Sequence, residues 1–361
     1  MIWFLERDSD LLICEITNEN AEEQFNFIEK TMMAGKAGNL FLVSGATDPN
    51  VLIQALKIGP KGFFHLPLNN DDVRNALLKL HGVESAVKAG MTDTPAKEGT
   101  IIYIIGSKGG VGTTTIAVNL ATELVRSQAR STVALIDMNL LFGDIPIFLD
   151  IQSPPFDWAE IARNITRLDS NFLMGTLFKH SSGLNVLPSP TSIFESFSSG
   201  PEIIAKLLGL MRTMFDYIVI DGGQDLGEMS KAIMKIADRV IIVTLLNLPC
   251  LINVKRLRDV FLRLGYPPDD RVSVIANRVH KKTGNISVED AERTTKKKIT
   301  WTIPNDFQNT MDAINTGKPL REIAPGSEIN RRISEIAGIL EKQQTHEAGI
   351  KKRKGFLGMF P

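Results

Sequence analysis

Between residues 100 and 304 the chain carries a series of short runs that are apolar nearly from end to end. They are "TIIYIIG" (100–106), "TVALIDM" (132–138), "GLNVLP" (183–188), "YIVIDGG" (217–223), "RVIIVTLL" (239–246), "RVSVIANR" (271–278) and "ITWTIP" (299–304). A strand with one face in water alternates apolar and polar residues, so a run apolar at both parities must be covered on both faces. Amphipathic segments separate the runs and predict helices from Thr114, over 201–214, near 229–237 and over 251–264. Buried strands interleaved with helices predict an α/β fold, a doubly wound and mostly parallel sheet. The segment "EINRRISEIAGILEK" (328–342) places Ile329, Ile333, Ile336, Ala337 and Leu340 on one helical face, which predicts a final helix packed on this domain.

A chain of 361 residues has room for two cores. Hydrophobic periodicity fades at "GVESAVKAGMTDTPAKEG" (82–99), so the expected organisation is a small α/β domain over 1–82, a linker over 83–99, the larger domain over 100–343 and a tail over 344–361. The formal net charge is zero, which excludes a general attraction to nucleic acid and leaves DNA an unexpected partner. The cation runs Lys281-Lys282 and Lys296 to Lys298 read as solvated faces, because no aromatic platform interleaves them. Cys14 and Cys250 give neither a disulfide framework nor a metal-ligand spacing and read as buried thiols of a reducing compartment. The start "MIWFLERDSD" lacks a secretory pattern and no apolar run approaches the ~20 residues that cross a bilayer. The expected location is cytoplasmic, with a peripheral anchor at the inner face of the cell membrane as the exception.

Directly behind the first apolar run stands "SKGGVGTTT" (107–115). Glycines between a strand and a helix let backbone N–H groups converge on phosphate oxygens, and the helix N-terminus adds positive potential. The expected nucleotide-binding residues are Lys108, Gly109, Gly110, Val111, Gly112, Thr113, Thr114 and Thr115. The general phosphate loop G-x-x-x-x-G-K-[ST] has a lysine after its last glycine and then a hydroxyl for Mg²⁺. Here the lysine position is Thr113 and the hydroxyl is Thr114. A glycine turn without a ligand is the plainer alternative. Mg²⁺ takes one or two protein acids besides phosphate oxygens, and Asp137 and Asp221 end two of the apolar runs, where an open sheet presents ligands. Thr114, Asp137 and Asp221 are the expected metal ligands, with polar strand ends as the bland alternative.

The stretch from Lys108 resembles the deviant Walker A loop K-G-G-x-G-K-[ST] of the ParA/MinD group of P-loop ATPases. That resemblance implies ATP and Mg²⁺, a homodimer with nucleotide at the interface, and a leading lysine, here Lys108, that reaches the phosphates of the partner. It implies candidate catalytic roles for Lys108 and Asp137, a Walker B role for Asp221 before the turn Gly222-Gly223, adenine contacts from Asn277 and Arg278, and a base-covering loop from Ile303 to Asp306 that includes Pro304. The group's second switch I aspartate is Asn139 here, an amide that cannot take a proton from water. Losing a preorganised charge at a transferring phosphoryl group costs on the order of 10² to 10³ in rate. Thr113 and Asn139 together therefore predict ATP binding with weak or absent hydrolysis.

Further stretches narrow the likeness: Lys108 through Asn119, Phe142-Gly143-Asp144, "FDYIVID", "NLPCLINVKRLRDVF" and "IPNDFQNTMDAINTGKPL". Over residues 100–340 the chain resembles the TadZ/CpaE family of tight-adherence (Flp) pilus assembly, in which the loop lysine is often replaced. The resemblance implies a localisation or scaffold factor whose partners are pilus-assembly proteins. An active ParA-type ATPase on DNA is the rival, and it requires a basic surface. Iron-protein and tyrosine-kinase branches fit less, since the cysteines are remote from the switch loops and no tyrosine lies in the tail.

In the first domain, "DLLICEIT", "NLFLVSGATD" and "ALKIGPKGFFHLP" resemble the second half of a response-regulator receiver. Glu15 falls at the phosphoacceptor aspartate, Ser44 at the switch hydroxyl and Leu66 before Pro67 at the receiver's Lys-Pro, which implies an atypical, shortened receiver suited to protein contacts. An unrelated small α/β domain is the alternative. A truncated sheet leaves an unpaired edge, expected to be covered, for example by another subunit. In the tail, Lys351 to Lys354 precede Phe356, Leu357, Met359 and Phe360, a pattern that fits an interfacial anchor and resembles the membrane-targeting tail of MinD. A disordered solubilising tail is the alternative.

Overall fold

The computed structural model describes residues 9–45, 48–68, 73, 76, 98–126, 131–140, 142–190, 200–280 and 286–357, the last stretch in backbone only beyond residue 344. Residues 83–97 of the expected 83–99 linker lie outside the described residues, as do the side chains of the tail. The chain folds as two compact units, Met1–Ala96 with Arg163–Leu177, and Lys97–Ala162 with Phe178–Pro361. The segment 163–177, inside the stretch expected to form the larger domain, thus belongs to the first unit.

The first unit has a parallel sheet in the order β1 (Ser9–Ile16), β2 (Ala37–Ser44), β3 (Gly62–His65). Two helices, α1 (Ala21–Met33) and α2 (Pro49–Lys57), connect the strands. Its core gathers Leu12, Cys14 and Ile16 of β1, Phe25 and Ile28 of α1, and Leu40 and Leu42 of β2. Burial pushes the Cys14 thiol up to about 11, so it stays protonated and behaves as a small apolar group. Among the described residues β1 pairs with β2 alone, and Ile13 on it is 56 % exposed.

The second unit is built on an eight-stranded sheet. In chain order its elements are β4 (Thr100–Gly106), α3 (Thr113–Val125), β5 (Val133–Asp137), α4 (Ile145–Phe148) and α5 (Trp158–Arg163). After α6 (Ser170–Thr176), which belongs to the first unit, come β6 (Phe178–Lys179), β7 (Asn185–Leu187), α7 (Pro201–Met214), β8 (Tyr217–Asp221) and α8 (Glu228–Ile236). The chain continues with β9 (Arg239–Leu245), α9 (Leu248–Leu264), β10 (Val272–Val279), α10 (Val288–Thr295), β11 (Trp301–Pro304), α11 (Phe307–Thr316), α12 (Leu320–Ile323) and α13 (Glu328–Leu357). Strand order is β11-β10-β9-β4-β8-β5-β7-β6, parallel throughout except for the β6–β7 pair.

Both faces of the central strands are buried, as their unbroken apolar character requires. Ile102 and Ile104 of β4, Val133 and Leu135 of β5, and Tyr217 and Val219 of β8 meet Ile116, Leu120 and Leu124 of α3. Ile329, Ile333, Ile336, Ala337 and Leu340 of α13 join the same core, the stripe that their spacing predicts. Each such buried aliphatic side chain contributes about 1.5–3 kcal/mol relative to exposure. Helix α9 starts at Leu248, three residues before the expected start, because Asn247 caps it by accepting the Cys250 N–H at 3.0 Å and Pro249 suits a first turn. It ends at Gly265, whose φ of 74° is a common helix stop.

Candidate functional site

The carboxyl ends of β4, β5, β8 and β10 converge where the central strand β4 runs into the glycine loop. The loop is held from several sides. Gly106 N–H donates to the Gly223 carbonyl at 2.7 Å, Ser107 N–H to the Val243 carbonyl at 2.8 Å, and the Ser107 hydroxyl to Thr244 at 3.0 Å. Asn253 of α9 donates to the Ser107 carbonyl at 2.9 Å. At the far end of the loop, Asn277 donates to the Val111 carbonyl at 2.8 Å. Gly112, the N-cap of α3, has φ 96°, and a Cβ on it would stand 2.5 Å from the Asn277 amide nitrogen. Only glycine meets both conditions there. Asn253 and the Ser107–Thr244 pair had no local signal in the sequence, because their partners lie more than a hundred residues away.

Thr113, which breaks the general motif, and the leading Lys108 occupy different surroundings. Thr113 is buried, and its hydroxyl faces Gly106, whose hypothetical Cβ would stand 2.5 Å from it. Lys108, Gly109 and Gly110 are exposed, and Lys108 has no ion-pair partner among the described residues. The loop therefore presents backbone and one free cation to solvent. Val111 and Thr115 are buried, and Asn119 anchors α3 by accepting the Leu320 N–H at 2.7 Å.

Asp137 and Asp221 stand opposite each other in the β5–β8 register, both essentially inaccessible to solvent. Burial, and then the neighbouring charge of Asp221, hold the Asp137 carboxyl well above the usual carboxylate range. Asp221 is pushed up to about 6 by burial, against the lowering effect of the Thr114 hydroxyl and the Gly223 N–H. The acids differ in what they have left to offer. Asp137 accepts the Asn139 N–H and the Ile145 N–H, each at 3.1 Å, and so shapes the turn between β5 and α4. Gly143 is required in that turn, since a Cβ would fall 1.7 Å from the Ser189 hydroxyl and 2.7 Å from Asp137 Oδ2. Asp221 Oδ1 accepts the Gly223 N–H at 3.2 Å, whereas Oδ2 is buried without a hydrogen-bond partner. An orphaned buried carboxylate oxygen beside a threonine hydroxyl fits a divalent cation. No group of three or more His, Cys, Asp or Glu able to hold a metal alone occurs among the described residues. A cation here would need further oxygens from a ligand, as Mg²⁺ does with phosphates.

Asn139 is committed elsewhere. Its amide donates to the Phe142 carbonyl at 2.7 Å, and the side chain lies against Gly223. At the other end, Asn277 is buried and its Oδ1 accepts the Arg278 N–H at 2.9 Å. Arg278 is exposed with φ 54°, a left-handed conformation that an irregular register between β10 and β11 accommodates. Pro304 lies opposite Val279, so Asn277, Arg278 and Pro304 stand at the same end of the β10–β11 pair. Asn277 braces the phosphate loop as well, a contact its place in the sequence does not reveal.

Residues 99–261 match the family model described as an AAA domain. An ATP-binding protein of Methanocaldococcus jannaschii, itself uncharacterized, is 24% identical over 260 residues, covering 72% of this chain and 94% of that protein. A ParA family ATPase of Chlorobium tepidum superposes with a TM-score of 0.63 at 25% identity, covering 67% of this chain and 98% of that one. MinD of Pyrococcus horikoshii complexed with Mg-ADP superposes with a TM-score of 0.58 at 22% identity, covering 70% and 98%. The α/β fold with its parallel-dominated sheet is that of ParA/MinD P-loop NTPases. The solved structures it resembles in fold include members of the ParA and MinD families.

Proposed function

We propose that this ParA/MinD-like, ATP-binding protein takes up ATP with Mg²⁺ at the glycine loop, pairs face to face with a second copy, and in that state acts as a localisation or scaffold factor in Flp (Tad) pilus assembly. The observation that carries the reading is the combination of a loop braced at both ends, an orphaned oxygen on Asp221 and an exposed loop cation, Lys108. Backbone N–H groups of the loop and the N-terminus of α3 hold the phosphates, and Thr114 with Asp221 holds the ion. When bound, Mg²⁺ neutralises phosphate charge and makes the ionised form of Asp221 favourable.

A second copy supplies what Thr113 does not. Lys108 of each copy reaches the nucleotide of the other, so that pairing and nucleotide binding support each other. Phe142, Leu248 and Phe307 follow the carboxyl ends of β5, β9 and β11 and are 71%, 55% and 67% exposed, apolar surface suited to burial between copies. With Asn139 bound to its own turn and no second switch I carboxylate, turnover is weak or absent. The pilus role rests on the sequence resemblance to TadZ/CpaE. The receiver-like domain serves protein contacts, and the basic, apolar tail from Lys351 to Phe360 supplies a peripheral membrane contact that two copies strengthen. No helix among the described residues is long and apolar enough to cross a membrane.

Sedimentation velocity of the full chain with and without ATP-Mg²⁺, with phosphate release measured alongside, tests the proposal. Dimers that form with nucleotide and release little phosphate are expected. Brisk release stimulated by DNA would favour a partitioning ATPase instead, and a monomer indifferent to nucleotide would refute both.

A further inference from the structure

The turn after β8 holds one polar side chain for which neither the motif nor the switch acids account. Gln224 follows Asp221-Gly222-Gly223 and is exposed, yet its amide lies beside the phosphate loop: a Cβ on Gly109 would stand 3.4 Å from both its Nε2 and its Oε1. Neither atom has a hydrogen-bond partner among the described residues. Apart from Lys108 and Asp221 Oδ2, the polar side chains named above at this end of the site are engaged. Asp137 accepts two backbone N–H groups, the Asn139 amide donates to Phe142, and the Thr113 hydroxyl is turned under the loop.

The backbone leading to Gln224 is held by its turn. Gly222 N–H donates to the Ile104 carbonyl at 2.8 Å, and the Gly223 carbonyl accepts the Gly106 N–H at 2.7 Å, tying the turn to the base of the phosphate loop. The phenol ring of Tyr103 on β4 lies under Gly222, where a Cβ would fall 2.3 Å from the ring. Gly223 takes φ 57°, which turns the chain toward the loop. An unpartnered amide whose backbone is held on rigid elements beside a glycine loop is within reach to donate to a phosphate bound there. In GTPases a glutamine near the terminal phosphate orients the attacking water.

We infer that Gln224 is a positioning residue that reads the terminal phosphate of a bound nucleoside triphosphate, donating from Nε2 and so distinguishing triphosphate from diphosphate. The inference rests on the nucleotide reading above. It gives the site a triphosphate contact in place of the missing local lysine, and it couples the turn after β8 to the state of the nucleotide.

Calorimetric titration of the full chain with ADP-Mg²⁺ and with the non-hydrolysable β,γ-imido analogue of ATP tests it. A hydrogen bond to a charged group is worth about tenfold in affinity. In Gln224→Ala the triphosphate should therefore bind about tenfold more weakly while ADP changes less than twofold. Gln224→Glu, which keeps the length and replaces the donor by a carboxylate, should weaken the triphosphate further still. Equal changes for both nucleotides, or none for either, would overturn the assignment while leaving the nucleotide reading intact. A wild-type chain that binds neither nucleotide would overturn both.

Discussion

Two parallel sheets in this chain end in an acid beside a turn, and they do so in opposite ways. At the end of β8, Asp221 is buried, keeps one oxygen without a partner and faces a second buried acid. Toward the end of β1, Glu15 is exposed, and Leu66 lies against Gly45, with a Cβ there only 3.3 Å from Leu66 Cδ1. The larger sheet concentrates uncompensated charge and unspent donors where a ligand would resolve them. The smaller one places solvated charge and apolar surface at the same topological place. Parallel topology supplies an edge where ligands can bind; burial of charge decides whether anything must.

That contrast can be broken most forcefully at the glycines. Gly112→Ala would combine a left-handed φ with a Cβ inside the Asn277 amide, and should cost about 3 kcal/mol in denaturant unfolding together with nucleotide binding. Gly45→Ala in the small sheet asks only for a slight shift of Leu66 and should cost less than about 1 kcal/mol in the same measurement.

The acids offer the next test. Because burial raises the Asp221 carboxyl above its unfolded value, the folded chain without metal retains a proton that the unfolded chain has lost, and stability falls as pH rises toward about 6. Asp221→Asn should therefore stabilise the metal-free protein at pH 7 by about 1–3 kcal/mol in thermal or denaturant unfolding while abolishing the effect of Mg²⁺ on nucleotide affinity. Glu15→Gln, at an exposed position, should change stability by less than about 0.5 kcal/mol. For the intact site, the stabilisation that ATP-Mg²⁺ gives should grow from pH 5 to pH 7, as Asp221 becomes free to ionise.

A smaller effect is expected from restoring the general motif. Thr113→Lys replaces a hydroxyl turned under the loop by a cation able to reach phosphate, and should tighten ATP binding about tenfold and lessen its dependence on protein concentration.

Much of the second unit was legible because its strands are apolar on both faces and its last helix carries an unmistakable stripe, from Ile329 to Leu340. The phosphate loop and the paired acids were legible because glycine and aspartate at strand ends have few structural uses. What the sequence hid is long-range. The two-residue β6 and the short helices α4, α5 and α12 have too little periodicity to announce themselves. Asn253 and Gln224 lie beside a loop distant from them in sequence, and nothing local sets them apart from solvated amides; the bond from Asn277 to the Val111 carbonyl is equally long-range. The left-handed Arg278 could not be anticipated either, since glycine or asparagine is the usual choice there.

In the proposed dimer the loop's amide groups grip triphosphate within one copy and Lys108 completes the site from the other. Sedimentation equilibrium of Lys108→Ala in saturating ATP-Mg²⁺, beside calorimetry on the same sample, tests it most directly. ATP uptake should persist while nucleotide-driven pairing is lost. Pairing as tight as in the wild-type chain, or a failure to take up ATP at all, would refute this division of roles between the two copies.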